Sequence, residues 1–109
     1  MRSLTVVDCR TPLAGSSLGE PEAAELEQLL RSIADRHRLR ILNMLVTANG
    51  EPICVCEFTA ALDLPQPNVS YHLRKLVEHG LVVREPRGRY SYYALVDGAL
   101  EAVAALVAT

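Results

Sequence analysis

The sequence predicts a mainly α-helical domain with one small β-hairpin, organised around a helix-turn-helix. Two helical patterns of apolar residues flank a break at residues 64–67, and the second pattern ends at Gly80. Beyond Gly80, two runs at 81–85 and 90–95 are rich in β-branched and aromatic residues. The segment 86–89 between them holds a proline, a glycine and two arginines. These observations indicate a helix-turn-helix followed by a hairpin with a basic tip.

The composition indicates one folded domain preceded by an arm. The 109 residues are 50% hydrophobic, which is enough for a single core, and no run of 18 apolar residues predicts a membrane span. Because the first residues lack the apolar centre of a signal peptide, we expect a cytoplasmic protein with no membrane partner. Residues 1–19, with Pro12, two glycines and three serines, are predicted to form a flexible arm, while residues 20–109 are predicted to form the folded domain.

The remaining helical patterns favour a homodimer. Pro21 fits the first turn of a helix expected to end near Asp35. A following helix over 36–48 carries apolar residues around most of its circumference, so we expect it at the centre of the core. The last helix, from Gly98, has no charged side chain after Glu101. So apolar a helix needs a partner, and symmetric pairing of two chains is the simplest arrangement.

Charge is distributed unevenly along the chain. The formal net charge is −2, but residues 66–96 carry five basic and two acidic side chains, so this segment is +3 and the remainder is −5. A basic segment on an acidic body favours double-stranded DNA as the partner, with an ordinary solvated surface as the simpler alternative. For His72, packing or hydrogen bonding at the helix surface is the commoner role. The predicted DNA contacts are Gln66, Asn68, Ser70, Tyr71, His72, Arg74 and Lys75 of the second helix and Arg87 and Arg89 of the hairpin.

The chain has three cysteines, Cys9, Cys54 and Cys56. In a reducing compartment an odd number favours metal binding, redox chemistry or simple packing over a disulfide framework. Side chains two residues apart on a regular helix point about 200° away from each other, so Cys54 and Cys56 share an ion only where the helix start bends. The same spacing is expected to strain a direct disulfide. No phosphate loop or paired-carboxylate motif indicates an enzyme.

Three segments resemble the ArsR/SmtB family of winged-helix metalloregulatory repressors. They are IADRHRLRIL at 33–42, CVCEF at 54–58 and LPQPNVSYHLRKLVEHGLV at 64–82, and the basic hairpin follows them. The resemblance implies a homodimeric winged helix-turn-helix protein that represses operator DNA and is released by a toxic metal or metalloid. Pro65 replaces the serine usual in the family, which removes a hydroxyl cap from the second helix.

The resemblance implies an arsenic-responsive member that lacks one ligand. Related sensors with Cys-Val-Cys often add a cysteine three positions on, where this chain has Thr59. As(III) and Sb(III) take three thiolates, so we expect either ion as the inducer, held by Cys9, Cys54 and Cys56. Binding at the helix start is expected to shift the second helix and weaken DNA binding. A repressor responsive to Cd, Pb or Zn, or a thiol-redox repressor that pairs Cys9 with one of the others, is the alternative.

Overall fold

The computed structural model describes residues 18–101 and residue 104. Cys9, the rest of 1–17 and most of the predicted C-terminal helix lie outside the described residues. The elements are α1 (Glu20–Ile33), α2 (Arg36–Thr47), β1 (Ile53–Cys54), α3 (Val55–Leu62), α4 (Gln66–Glu78), β2 (Val82–Arg87) and β3 (Tyr90–Leu95). The predicted mainly helical fold with a helix-turn-helix and a hairpin is confirmed. Within the described part of the chain, no helix has the length and apolarity needed to cross a membrane.

The junction between α1 and α2 differs from the sequence prediction. Helix α1 ends at Ile33, two residues before the expected end at Asp35. Asp35 instead caps α2, because its Oδ1 accepts hydrogen bonds from the backbone N–H groups of His37 at 2.8 Å and Arg38 at 3.2 Å. A carboxylate at this position satisfies N–H groups that have no partner within the helix. The cap therefore fixes where α2 begins.

Helix α2 buries only one of its faces within the chain. Ile41, Leu42 and Leu45 are buried, whereas Leu39 and Val46 are 53% and 50% exposed. The expectation that this helix is surrounded by core on most sides is therefore wrong for a single chain. Its exposed apolar residues are candidates for contact with another copy.

The core is built where α3 and α4 meet the sheet. Phe58 of α3 and Val69, Leu73 and Leu76 of α4 are fully buried, and Tyr93 of β3 joins the same cluster. Gly80 ends α4 with a φ of 76°, a conformation that favours glycine, and the next backbone N–H, of Leu81, bonds to the carbonyl of Leu76 at 3.0 Å. This turn directs the chain from α4 straight into β2.

The sheet contains a strand that the sequence did not reveal. The strands lie antiparallel in the order β1-β3-β2, and β1 pairs Ile53 with Tyr93 and Cys54 with Tyr92. In the hairpin, β2 ends at Arg87 and β3 begins at Tyr90. The turn between them is therefore shorter than the tip predicted at residues 86–89. The extra strand ties the start of α3 to the hairpin.

Leucine truncations in α2 test this burial pattern. Leu45→Ala is expected to lower the free energy of unfolding by about 2–5 kcal/mol, because Leu45 is 1% exposed and its removal leaves a cavity. Leu39→Ala, the same truncation at an exposed site, is expected to change it by less than about 0.5 kcal/mol. Urea titration at several protein concentrations measures both values. Equal losses at low concentration would contradict the burial pattern.

Candidate nucleic-acid interface and thiol site

Helix α4 separates a buried apolar face from an outward polar face. Gln66, Asn68, Tyr71 and Arg74 are exposed, and Ser70 and Lys75 are half-buried. The N-cap residue is Pro65, which provides no side-chain hydrogen bond, as the sequence predicted. Because the opposite face is fully buried, the core packing sets the direction in which these polar side chains point.

Tyr71 lies at the centre of the positive charge on this face. The Arg38 and Arg74 guanidinium carbons are each 5.8 Å from the Tyr71 ring centroid, and the Lys75 ammonium nitrogen is 5.7 Å from it. An aromatic ring attracts cations over its face and holds them close together. The cationic cluster therefore includes Arg38, a residue of α2 that the sequence analysis did not select.

The two arginines at the hairpin tip have different surroundings. Arg87 contacts Glu85, with 3.2 Å between Nη2 and Oε1, and its guanidinium lies 4.6 Å from the Tyr92 ring centroid. Arg89 is exposed and makes no side-chain ion pair or hydrogen bond to the residues that the structure describes. Arg87 is therefore held near Glu85 and Tyr92, whereas Arg89 is not held by such contacts.

His72 is placed differently from the other predicted DNA contacts. Its side chain is 12% exposed and turned toward α2, where its Nδ1 accepts a hydrogen bond from Arg38 Nε at 3.1 Å. Burial, the largest cause, lowers the pKa of His72 below its ordinary value. The structure therefore places His72 behind the outward face rather than on it.

The sulfur atoms of Cys54 and Cys56 meet at the start of α3. Cys54 is not helical: it ends β1 with φ −69° and ψ 143°, and its Sγ accepts a hydrogen bond from the Cys56 backbone N–H at 3.3 Å. The two Cα atoms are 5.2 Å apart, within the range that disulfides span, and the structure pairs the sulfurs as a disulfide. The sulfurs meet because Cys54 lies outside the helix, so the separation of about 200° expected for two helical positions does not apply to this pair.

Among the described residues, no third metal-binding side chain lies with the cysteine pair. Over residues 18–101 and at 104, no group of three His, Cys, Asp or Glu side chains is placed to hold an ion. Thr59, at the position of the family's third cysteine, donates a hydrogen bond from Oγ1 to the Cys56 carbonyl at 2.8 Å. Cys9 lies outside the described residues, so its place in this site stays a prediction.

A cleft of about 360 Å³ lies between α3, α4 and the hairpin. Its lining includes Cys56 and Thr59 of α3, Gln66 and Ser70 of α4, and Arg89 of the hairpin tip. The exposed cysteine of the pair therefore shares one cavity with three of the predicted DNA contacts. The sequence could not show this, because the lining residues come from three separate elements.

The fold and the polar face of α4 define a winged helix-turn-helix protein. Comparison with known sequences gives the family: residues 35–83 match the profile of bacterial regulatory proteins of the arsR family. The chain is 37% identical over 71 residues to the arsenical resistance operon repressor of Bacillus subtilis (strain 168), covering 65% of this chain and 66% of that protein. It is 32% identical over 77 residues to the arsenical resistance operon repressor of Staphylococcus aureus, covering 71% of each.

Comparison with a solved structure supports the same family. The transcriptional regulator HlyU from Vibrio vulnificus CMCP6 is 32% identical, with a TM-score of 0.62 over 76% of this chain and 83% of that one. The chain belongs to the ArsR family. These relatives are regulators rather than enzymes, as the sequence predicted.

The unequal exposure of the two cysteines predicts unequal reactivity. After reduction, Cys56 is expected to react with iodoacetamide at least about tenfold faster than Cys54, because Cys56 is exposed and Cys54 is 5% exposed. Tandem mass spectrometry of the peptide that carries both residues measures the two rates. In urea the rates should converge, and equal rates in native buffer would contradict the placement of Cys54.

Proposed function

We propose that this chain is an operator-binding transcriptional repressor that leaves DNA when As(III) or Sb(III) binds its cysteine thiolates. The observation that carries the proposal is the convergence of the Cys54 and Cys56 sulfurs beside the cleft that also contains Gln66, Ser70 and Arg89. The names of the Bacillus and Staphylococcus relatives support the same inducer class.

The donor chemistry suits a soft ion of this kind. Reduced Cys54 and Cys56 offer two thiolates at the positive end of a helix, which favours ionised sulfur. As(III) and Sb(III) prefer three sulfur donors. Cys9 is the third cysteine of the chain, and we assign it as the remaining ligand, from the same chain or from a second copy.

The position of the pair supports a direct route from ligand to DNA. Cys54 Sγ accepts the hydrogen bond that caps α3, and Cys54 also pairs with Tyr92 of the hairpin. A ligand on this sulfur therefore acts on the start of α3 and on the hairpin together. Because α3 packs on α4 through the buried Phe58, displacing α3 moves the outward face of α4.

A homodimer and an operator of matching symmetry complete the proposal. Leu39 and Val46 of α2 expose apolar surface, which a second chain can cover. Two copies related by a twofold axis bind an inverted repeat whose half-site centres are about one helical turn, roughly 34 Å, or a multiple apart.

A thiol-redox repressor is the second candidate, because the structure pairs the two sulfurs directly. In that mechanism a peroxide oxidises the two thiols to the disulfide and is itself reduced to water. The same Cys54–Cys56 site then responds to an oxidant instead of a metalloid.

The DNA interface is tested by single arginine substitutions. Arg74→Ala is expected to reduce affinity for the duplex that the protein enriches from a random pool, by about 1–3 kcal/mol, with a smaller effect on unrelated DNA. Arg87→Ala and Arg89→Ala are expected to weaken binding to most sequences and to reduce the salt slope by about one unit each. Fluorescence anisotropy over a salt series measures all three. Unchanged binding in every variant would refute this interface.

The sensor is tested by cysteine substitutions in the full chain. Cys54→Ser and Cys56→Ser should retain DNA binding but no longer release DNA with arsenite or antimonite, because each removes one of the two converging sulfurs. Cys9→Ser should lower the sulfur coordination number of arsenic from three to two in X-ray absorption measured without added thiol. Adding Thr59→Cys to Cys9→Ser is expected to restore three sulfurs, since Thr59 lines the same cleft as Cys56.

Mass spectrometry separates the metalloid and redox mechanisms. Arsenite should add the mass of one arsenic less three hydrogens to the reduced protein, because three thiols lose their hydrogens and water is released, whereas peroxide should remove only the mass of two hydrogens. Release by peroxide with no response to either metalloid would favour the redox repressor. Three sulfurs around arsenic in Cys9→Ser would exclude Cys9 as the third ligand.

A further inference from the structure

Arg38 of α2 joins three elements of the fold, α1, α2 and α4. Its Nε donates to His72 Nδ1 of α4 at 3.1 Å, and its Nη1 donates to the Ser32 carbonyl near the end of α1 at 3.1 Å. Its guanidinium also lies 5.8 Å from the Tyr71 ring centroid. One side chain of α2 therefore contacts the last turn of α1 and two consecutive residues of the DNA-facing helix.

We propose that Arg38, bonded to neutral His72, positions α4 for DNA, and that protonation of His72 weakens DNA binding. This inference rests on the proposed DNA-binding function and extends it to two positioning residues. Neither Arg38 nor His72 needs to contact a base in this role.

The hydrogen bond requires an unprotonated acceptor. A guanidinium only donates, so His72 Nδ1 must carry a lone pair, and the ring proton then lies on Nε2. Protonation at Nδ1 removes the acceptor and places a second positive charge against Arg38. The contact then changes from a charge-assisted hydrogen bond into a repulsion.

The groups around His72 act in opposite directions. Asp35, before α2, has its Oδ1 3.9 Å from His72 Nδ1 and favours the protonated ring. Arg38 and His37 of α2 oppose protonation, and the His37 ring centroid is 5.4 Å away. Tyr71 on α4 packs against the ring at the same centroid distance, while α1 contributes backbone carbonyls and keeps its Arg31 side chain paired with Glu27.

The direction of the pH effect follows from these groups. Burial lowers the pKa of His72 below its ordinary 6.5, the attraction of Asp35 partly offsets this, and the charges of Arg38 and His37 lower it further. The state in which Arg38 bonds to His72 therefore binds fewer protons than a state in which this bond is broken and α4 is no longer held by it. Affinity for DNA is complete above about pH 6.5 and declines as the pH falls through the pKa of His72.

Asp35 does not titrate in this window. Its partial burial favours a raised pKa, but hydrogen bonds from the backbone N–H groups of Arg38 and His37 outweigh it and lower the pKa of this carboxyl below its ordinary value of 3.8. Asp35 therefore stays ionised while His72 gains its proton.

The test measures DNA affinity of the full chain from about pH 8 to about pH 5 by fluorescence anisotropy, with the duplex enriched from a random pool. Wild type is expected to lose more than about threefold in affinity as the pH falls below 6.5, a loss within the net contribution of one hydrogen bond. His72→Asn keeps an acceptor near the Nδ1 position and cannot be protonated in this range, so its affinity should vary by less than about twofold. Arg38→Lys should bind more weakly than wild type at high pH and show a flatter profile.

His79→Asn is the matched control. His79 lies next to the end of α4, and within the described part of the chain its Nδ1 forms a hydrogen-bond contact with the Lys75 carbonyl of its own helix, so this variant should keep the wild-type profile. Simple attraction between a protonated histidine and DNA predicts the opposite change in affinity with pH, because it strengthens binding as the pH falls. An affinity that rises in acid, or a His72→Asn profile equal to that of wild type, would overturn the positioning role.

A measurement without DNA separates this proposal from the proposed function. Nitrogen-15 NMR of the full chain should show His72 as the neutral tautomer with its proton on Nε2 at high pH. A proton on Nδ1 would overturn the proposal even if DNA binds. Wild type that binds no duplex at high pH would instead refute the DNA-binding function, and with it the role in DNA binding that we give to Arg38.

Discussion

The burial of one face of α4 is the interaction on which the rest of the structure depends. Val69, Leu73 and Leu76 have no exposed surface, and they pack in one cluster with Phe58 of α3. Each buried leucine of this kind stabilises the fold by about 2–5 kcal/mol relative to alanine, so α4 cannot rotate about its axis without losing much of a small domain's stability. The outward direction of Tyr71 and Arg74 is therefore a consequence of apolar packing.

Cys54 shows how one residue connects the proposed sensor to this core. It is the last residue of β1, the N-cap of α3 and one half of the sulfur pair. Its neighbours Ile53 and Val55 are buried, so the backbone on both sides is fixed while the exposed Cys56 side chain faces the cleft. A rigid backbone with one accessible sulfur limits where a ligand can attach. Under the proposed function, strain from a ligand on this pair passes into the hairpin and α3 rather than being absorbed by a flexible loop.

Apolar periodicity and breaking residues were sufficient to predict α1, α2, the helix-turn-helix and the hairpin, because each of these elements has a local pattern. The features that the sequence did not reveal depend on partners far along the chain. Strand β1 has two residues, too few to show alternation, and exists because β3 pairs with it. The bond between Arg38 and His72 joins residues 34 positions apart. The convergence of Cys54 and Cys56 has the same origin, since pairing with β3 holds Cys54 outside the helix.

The sizes of these interactions explain why a switch suits the polar edges of α4 rather than its core. Coupling between two binding sites typically amounts to about 1–3 kcal/mol, which changes affinity by roughly 5- to 150-fold. A hydrogen bond to a charged group contributes about 1.5–3 kcal/mol, which matches that range, whereas loss of a buried leucine approaches the stability of the whole domain. Both proposed contacts lie at such polar edges of α4. The cleft beside Cys56 joins α4 to α3 and the hairpin, and the bond between Arg38 and His72 joins α4 to α2. Under the proposed function, a change at either contact shifts α4 relative to DNA while the apolar cluster around Phe58 keeps the domain folded.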